Sequence, residues 1–545
     1  MALSALAGLG LPVLAGCDLP GASKDKAGAA SPSGSTASAG GSASAGAAKA
    51  GSTEWQKLDG HVMGHKVSVE VSPVIRQDDK TSYIAVKLTR ASDDASIDAV
   101  NAHASTSRDD KLNISNYLGV PSISRPGTGT SLVKLLDTAS GRVWSATDGS
   151  GLFLELAPGE DMTSYLSFGK VDTDTVTVMV PMAGFTTVSV LNSDDAKKAG
   201  INLATAKKEL AKWPDAITKD TAPVAIERYT RALDDSTSTK AGSKDITVTL
   251  ASDVTFASDS ADLASGAEAQ LKTVAGQLGQ YPDGGTLTIV GHTDDVQDDA
   301  YNQTLSEKRA NAVKTRLEQL TKLDKWKTSV SGKGESEPKI KDTTDEARAA
   351  NRRVEITLTP TGGTTPKNTA PPAGTGSLPE TKGAVAKGAE GVTVKNDSGN
   401  GELTITLDHV TRSGGYLLGQ LHTTLSTKNN STTGLFHWFK DKEVFLSNVR
   451  GEDASGETTG FSADGLTLLA GGERIYPADY LDAEFKTHVP LTELALTPFI
   501  KAGTTTICVV WPDPGGDTIT VDHTTPMKQL SDFAYRLTDI PVKNS

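Results

Sequence analysis

A change of sequence pattern near residue 245 does most to limit the folds open to this 545-residue chain. Before it, and again after residue 391, short β-branched runs alternate with turns rich in Asp, Gly and Ser. Within residues 245–360, segments of helical periodicity alternate with strand-like runs, which are ITVTLASDVTF, TLTIVG, WKTSVSG and RRVEITL. Alternating strands and helices predict an α/β layer, whereas strands without helices predict sandwiches. We therefore expect a multidomain protein in which a central α/β domain (mixed βαβαβ) is flanked by two mainly-β, sandwich-like domains.

The two β-rich regions, residues 54–192 and 392–545, contain similar motifs in similar order. VSVEVSPVIRQDDKTSYIAVKLT is similar to LTITLDHVTRSGGYLLGQLHTT, VKLLDTASGRVWSATD to LTLLAGGERIYPADY, and TDTVTVMVP to GTTTICVVWP. This order favours a duplicated sandwich, and two unrelated β domains of similar composition are the alternative.

Three segments are expected to connect these domains rather than to form cores. Residues 18–53 are rich in Ala, Gly and Ser and predict a disordered tether. Residues 361–391 form a linker rich in Pro, Gly and Thr. Residues 193–244 form a polar connecting segment, with a short helix predicted at ATAKKELAKW.

The first 17 residues are apolar and end in Leu14-Ala15-Gly16-Cys17. This ending resembles the bacterial lipobox, so we expect a signal peptide and lipidation of Cys17, for example with palmitate. A plain cleaved signal and a short membrane helix are the alternatives. No later segment is apolar for about 18 residues. The resemblance places the rest of the chain on the extracytoplasmic face of the cell membrane.

Composition excludes some classes of protein. The formal net charge is -13, so a phosphate-binding surface for nucleic acid is not expected. The two cysteines, Cys17 and Cys508, do not form a disulfide framework, and Cys508 is expected to be a buried strand thiol.

A helix predicted to begin near Leu305 carries an unusual arginine. Thr304 and Glu307 have the spacing of a capping box. On a helical wheel Arg309 lies about 50° from the centre of the apolar stripe, so it should point towards the sheet. A buried guanidinium needs an anion. The stripe itself consists of Ala310, Val313, Leu317 and Leu320.

Other polar residues are expected at the same edge of the sheet. Asp294 follows the strand TLTIVG, and Asn302 lies in the loop before the helix. In the last strand Arg352 shares the inward face with Val354, whereas Arg353 should point outward. An aspartate and two arginines at one edge would suit a zwitterionic ligand, because the aspartate accepts from an ammonium and an arginine binds a carboxylate.

These residues form a motif: T-D, ten residues, L-S-x-x-R-A, and N-R-R-V-E some forty residues later. With the upstream DVTFASDSADL and the stretch SVSGKGESEP, it resembles the C-terminal peptidoglycan-binding domain of the OmpA family. That family includes peptidoglycan-associated lipoproteins and flagellar-motor stator proteins. The motif residues are Thr293, Asp294, Leu305, Ser306, Arg309, Ala310, Asn351, Arg352, Arg353, Val354 and Glu355.

The resemblance implies non-covalent binding of the diaminopimelate side chain of peptidoglycan. Asp294 would hold its distal ammonium and Arg309 its distal carboxylate. Thr293, Asn302 and Arg352 would line the same pocket. The alternative is an Asp294–Arg309 salt bridge that only joins strand to helix.

No cofactor or metal is expected. The acidic run Asp294, Asp295, Asp298 and Asp299 lacks the spacing of a calcium loop. No hydrolase or phosphate-binding motif is found, and His292 has no companion nucleophile, so we do not expect an enzyme.

The sequence therefore predicts a cell-envelope lipoprotein that links the membrane, through its lipid anchor, to peptidoglycan. Envelope proteins are possible partners of the β domains. An adhesin or solute-binding protein that uses the central domain only as a mooring is the main alternative, and a peptidoglycan hydrolase is a third reading.

Overall fold

The structure is a computed structural model, and all the residues it describes belong to one unit of the chain, residues 44–545. Cys17 and residues 18–48 of the predicted tether lie outside the described residues. The described residues are 49–100, 110–114, 132–146, 148–149, 155–211, 222–257, 259–364, 378–381, 383–396, 400–429, 431–439, 450, 461–482, 487–496, 499–523 and 533–545.

The first β region forms most of an 11-stranded sheet in the order β1-β2-β4-β3-β12-β11-β6-β7-β13, with β10 paired to β4. Its strands carry the alternating or continuous apolar patterns seen in the sequence. Its elements are β1 Gln56–Val62, β2 His65–Val71, β3 Val74–Arg76, β4 Thr81–Arg90, α1 Ile97–Val100, β5 Leu112–Asn113, β6 Lys134–Asp137, β7 Arg142–Ser145, β8 Asp148–Gly149, β9 Glu155–Leu156, β10 Asp161–Gly169, β11 Thr175–Val180, β12 Gly184–Asn192, α2 Leu203–Leu210 and β13 Val224–Ala225.

The central region is α/β, as the alternation of patterns predicts. Helices and strands share one apolar core that includes Leu271, Ile289, Val313 and Ile356. Its elements are β14 Arg228–Ala232, β15 Thr237–Ala241, β16 Ile246–Ala251, α3 Ser252–Thr255, α4 Ala267–Gly279, β17 Gly285–His292, α5 Asp299–Leu320, β18 Trp326–Gly332, α6 Asp345–Asn351 and β19 Arg353–Pro360.

The central sheet is mixed, and its order is β18-β17-β19-β16-β15-β14. Strands β17 and β18 are parallel, whereas β19 is antiparallel to both β17 and β16. The connecting segment predicted at residues 193–244 supplies β14 and β15, which extend this sheet. It also supplies α2, the short helix that the sequence predicts, capped by Asn202.

The central sheet and strands of the second β region form one 16-stranded sheet, in which β14 of the central region pairs with β27 of the second β region. Cys508 lies buried in β31, as predicted. The elements of this region are β20 Ala384–Lys387, β21 Val392–Lys395, β22 Gly401–Thr406, β23 Val410–Ser413, β24 Tyr416–Thr427, β25 Thr433–Gly434, β26 Thr467–Ala470, β27 Glu473–Ile475, β28 Asp479–Leu481, β29 His488–Pro490, β30 Phe499–Ile500, β31 Ala502–Pro512, β32 Thr518–His523 and β33 Tyr535–Asn544.

The two β regions have the same strand order. β1-β2-β4-β3-β12-β11-β6-β7 in the first corresponds to β21-β22-β24-β23-β33-β32-β26-β27 in the second. The β3–β12 and β23–β33 pairs are both parallel. This agreement supports the predicted duplication.

One of the predicted correspondences is wrong. The sequence relates TDTVTVMVP, in β11, to GTTTICVVWP, in β31, but by its position in the sheet β11 corresponds to β32. Strand β31 corresponds to β10, since both pair with the long strand next to them, β24 and β4. Similar β-branched composition in neighbouring strands accounts for the error.

The two β regions also share a hydrophobic core. One cluster of buried side chains includes Trp144 and Val178 from the first region and Leu425 and Trp511 from the second. The structure therefore does not separate them into independent units, and the predicted three-domain layout stays a prediction. Among the described residues, no helix is both long enough and apolar enough to cross a membrane.

Candidate functional site

The central domain presents Arg309 from the inner face of α5, as predicted. Arg309 is 5% exposed, and its neighbour Ala310 packs in the core. Its Nε donates to the carbonyl oxygen of Ser260 at 2.9 Å. The guanidinium lies 5.2 Å from the centre of the Phe256 ring, a cation–π distance.

The helix that carries Arg309 begins earlier than predicted. Asp298 is its N-cap and accepts from the backbone N–H of Tyr301 at 2.9 Å. The predicted capping box is therefore wrong, because Thr304 lies inside the helix and donates to the carbonyl oxygen of Ala300. Residues 299–304 are mostly polar, so the first turns of the helix show no apolar periodicity.

Arg309 has no carboxylate partner among the described residues, since no ion pair within 4.0 Å involves it, and Nε makes its one hydrogen bond there. Burial lowers the pKa of Arg309, and the charges of Asp253 and Asp259 oppose that effect only in part. The Asp294–Arg309 salt bridge considered from the sequence is absent. The terminal nitrogens of this guanidinium donate no hydrogen bond within the described part of the chain.

Asp294 is held instead by Arg352. The Nη1 of Arg352 donates to Oδ2 of Asp294 at 2.6 Å. The same guanidinium binds both carboxylate oxygens of Asp253, at 2.8 and 2.6 Å. This bidentate contact is the first cause of a raised pKa for Arg352, and it lowers the pKa of Asp253. Two acids and two arginines therefore lie in one cluster.

Arg352 does not occupy the position that the sequence predicts. Strand β19 begins one residue later, at Arg353, and Arg352 is the C-cap of α6. Its side chain therefore does not follow the alternating directions of strand side chains, and it extends towards Asp253 on α3. The strand predicted over ITVTLASDVTF ends at Ala251, and α3 follows it.

Asn302 and Thr293 lie around Asp294. The prediction that Asn302 lies in the loop before the helix is wrong, because α5 begins at Asp299 and Asn302 is in its first turn. Asn302 is buried, and its Nδ2 lies 2.7 Å from Oε2 of Glu335 and 3.2 Å from the carbonyl oxygen of Asp294. The N–H of Thr293 donates to the carbonyl oxygen of Gly334 at 2.9 Å. Both residues hold the loop against its neighbours, and their contact with a ligand stays a prediction.

Arg353 lies on the face opposite Val354, as predicted, but this face is not open to solvent. Arg353 shares a face with Glu355, as predicted, but it is 5% exposed, because the segment around Glu337 covers that face. Its Nε donates to Oε1 of Glu355 at 2.7 Å.

Burial, and then the charge of Arg353, lower the pKa of His292 to about 4, so His292 is a neutral, buried residue at neutral pH.

The acidic run serves local structure. Asp295 pairs with Arg348 at 2.7 Å, Asp298 caps α5, and Asp299 is the first residue of that helix. The described residues with the spacing of metal ligands lie elsewhere, at Glu227, Asp479 and His488.

That second cluster surrounds a guanidinium. Arg450 binds both oxygens of Asp479, at 3.0 and 2.8 Å, and Glu227 at 2.7 Å. His488 lies 3.1 Å from Arg450 and 3.0 Å from Glu227. An arginine side chain therefore holds the position that a metal would need.

Three residues that position the arginines were not predicted from the sequence. Asp253, Phe256 and Ser260 all come from one short segment, on or just after α3. Their signal was the stretch DVTFASDSADL, which contributes to the family resemblance, although its first four residues, DVTF, were predicted to end a strand.

The comparison with protein families gives a match in this part of the chain. The OmpA family model matches residues 255–352. Outer membrane porin F of Pseudomonas aeruginosa is 44% identical over 103 residues, which are 19% of this chain and 29% of that protein. The probable lipoprotein YiaD of Escherichia coli is 35% identical over 116 residues, 21% of this chain and 52% of that protein.

Among solved structures, the peptidoglycan-associated lipoprotein from Burkholderia pseudomallei is similar at 26% identity, with a TM-score of 0.17, over 21% of this chain and 87% of that one. The matched region spans only about a third to a half of the curated relatives. The family assignment therefore concerns the central region, and residues 255–352 of this chain form an OmpA family domain.

Proposed function

We propose that this protein is a cell-envelope lipoprotein that binds peptidoglycan non-covalently through the diaminopimelate side chain. The observation that carries the proposal is the buried guanidinium of Arg309, which has no carboxylate partner among the described residues. A buried charge without a partner is costly, and a ligand carboxylate would remove that cost. The planar fork of an arginine suits a carboxylate in particular.

The other half of the ligand would bind Asp294. Arg352 holds Oδ2 of this carboxylate, whereas Oδ1 has only a long contact, 3.4 Å, from the N–H of Val296. Oδ1 can therefore accept from an ammonium without loss of the Arg352 contact. Arg352 acts here as a positioning residue, and Asp253 fixes it from the other side.

The charge balance of the cluster supports a zwitterion. Asp253 and Asp294 carry two negative charges, and Arg309 and Arg352 carry two positive ones. A ligand that brings one ammonium and one carboxylate leaves this balance unchanged, and the distal end of diaminopimelate has that composition.

Titration of the full-length protein with a soluble stem peptide containing diaminopimelate tests the proposal. We expect saturable binding for wild type and none detectable for Asp294→Ala or Arg309→Ala, since each loses a charge-assisted contact worth roughly 1.5–3 kcal/mol. Arg309→Lys should also fail, because an ammonium cannot reproduce the bidentate contact.

Arg316→Ala is the matched control. It lies two turns further along α5 and pairs with Glu268 at 2.7 Å, outside the cluster. This variant should bind like wild type. Wild-type protein that does not bind the peptide at millimolar concentration would overturn the proposal.

We further propose that lipidated Cys17 anchors the protein in the cell membrane, so that the chain links membrane to wall. In cells, Cys17→Ser should lose the membrane fraction or remain unprocessed. A variant that fractionates like wild type contradicts the anchor and leaves the wall-binding proposal intact. We propose a binding role and no catalysis; zymography of the same protein tests for a hydrolase.

A further inference from the structure

A cavity lies where the central domain meets the second β region. It measures about 320 Å³ and is bordered by α4, by β14 and β15, by β27 and by the loop after β31. This volume is at the small end of ligand-binding cavities in proteins. None of its lining residues belongs to the Arg309 cluster described above.

The lining is rich in neutral groups that both donate and accept hydrogen bonds. The cavity is lined by the hydroxyl-bearing residues Thr230, Thr239 and Thr273 and by the amide-bearing Gln277 and Gln280. Two cations, Arg228 and Lys272, and two acids, Glu473 and Asp513, also line it, so its formal charges balance. This balance favours an uncharged ligand with several hydroxyl or amide groups.

Glu473 supplies a carboxylate that has no cation within 4.0 Å among the described residues. Burial raises the pKa of Glu473, and a hydrogen bond from Thr230 offsets this effect only in part. Lys272, on the opposite wall, lies 3.4 Å from Glu268. A carboxylate has two acceptor oxygens, so it can accept from two adjacent hydroxyls of one ligand.

The helical wall leaves room for a ligand. Gly276 lies on the side of α4 that borders the cavity, and a Cβ added there would meet no atom within 4 Å. Apolar atoms of Ile475, Pro512 and Pro514 form another part of the wall, where the C–H groups of a sugar ring could pack.

We propose that this cavity binds a neutral, N-acetylated saccharide, with Glu473 as acceptor for its hydroxyl groups. The site is separate from the diaminopimelate site and does not depend on it. A protein with both would contact the sugar and the peptide components of a peptidoglycan at different places.

The test is titration of the full-length protein with the tetramer of N-acetylglucosamine, which contains no peptide. We expect saturable binding by wild type. Gly276→Phe should weaken it at least about tenfold by filling the cavity, and so should Glu473→Gln, which removes the charged acceptor. Replacement of a helical glycine raises helix propensity, so Gly276→Phe should remain folded.

Gly279→Phe is the matched control. Gly279 is the last residue of the same helix, an added Cβ meets no atom within 4 Å, and it does not border the cavity. This variant should bind the tetramer like wild type. Arg309→Ala should also bind the tetramer normally, which separates this site from the peptide site.

Failure of wild type to bind the tetramer at millimolar concentration overturns the saccharide proposal. Equal weakening by Gly276→Phe and Gly279→Phe would overturn it as well, since the effect would then not come from the cavity. Neither result affects the stem-peptide titration, so the two proposals fail independently.

Discussion

Two buried arginines in this molecule have opposite surroundings. Arg450 is 1% exposed and lies against Asp479, Glu227 and His488, with the ring of Tyr229 at 5.6 Å. Arg309 is 5% exposed and has a carbonyl oxygen and a phenyl ring as its contacts.

Under the proposed function, this difference distinguishes a structural cation, Arg450, from one that binds a ligand, Arg309. A guanidinium that already binds two carboxylates has little left to offer a ligand, whereas one with no anion gains most from one. Burial of an arginine is therefore not by itself a sign of function, and the absence of a protein anion is the informative feature.

Replacement of Arg450 should have the largest effect on stability. Arg450→Ala leaves Asp479, which is fully buried, and Glu227 without their cation. We expect a loss of about 3–5 kcal/mol in the free energy of unfolding, measured by urea denaturation. A loss below about 1 kcal/mol would contradict the structural role of the Arg450 cluster.

The next-largest effect on stability is expected at acid pH, where the Arg450 cluster should become weaker. Burial opposes ionisation of Glu227, but the hydrogen bond from His488 and the charge of Arg450 outweigh it and lower the pKa of Glu227 below its ordinary 4.5. As the pH falls, Glu227 of the unfolded chain therefore becomes protonated at a higher pH than Glu227 of the folded chain. The contribution of Glu227 to stability is present above about pH 4.5 and is lost as pH falls through the folded-state pKa.

The measurement is the free energy of unfolding from neutral pH to about pH 3, for wild type and Glu227→Gln. The wild-type curve should fall more steeply on the acid side than that of the variant. Parallel curves would contradict the assignment of this pH dependence to Glu227.

Replacement of Arg309 should change stability little. Arg309→Ala removes a desolvated charge that has no carboxylate partner, and it also loses one hydrogen bond and the contact with Phe256. These effects oppose one another, so we expect the free energy of unfolding to stay within about 1 kcal/mol of wild type while peptide binding disappears. A large loss of stability would make Arg309 a structural residue like Arg450.

The smallest effect is expected at Arg348. It forms an exposed pair with Asp295 beside the site, at 2.7 Å. Surface pairs of this kind contribute little. Arg348→Ala should show neither a measurable change in the melting temperature nor a change in peptide binding, and a clear effect on binding would extend the site to α6.

The sequence predicted the central domain well because helical and strand periodicity differ strongly there. Strand β18 has the predicted bounds, and the inward side chain of Arg309 follows from the stripe that contains Val313 and Leu317. Family resemblance supplied the grouping of Asp294 with Arg309, which periodicity could not.

The contacts within the site could not be predicted in the same way. The Arg352–Asp253 pair joins residues 99 positions apart, and it depends on β19 starting one residue late. Burial of Arg353 depends on the segment around Glu337 folding over the sheet. Strand parity describes one strand and contains no information on what covers its face.

The joint between β14 and β27 has a consequence for how the molecule would respond to pulling. Three residue pairs form it, Thr230–Ile475, Arg231–Arg474 and Ala232–Glu473. Two arginines thus face each other at its centre, and like charges directly opposite weaken a strand pair; each has its own acid, Asp235 for Arg231 and Asp522 for Arg474. If the central domain is held while the second β region is pulled away, we expect this three-pair ladder to open before the four-pair β14–β15 ladder beside it, because the facing arginines weaken it.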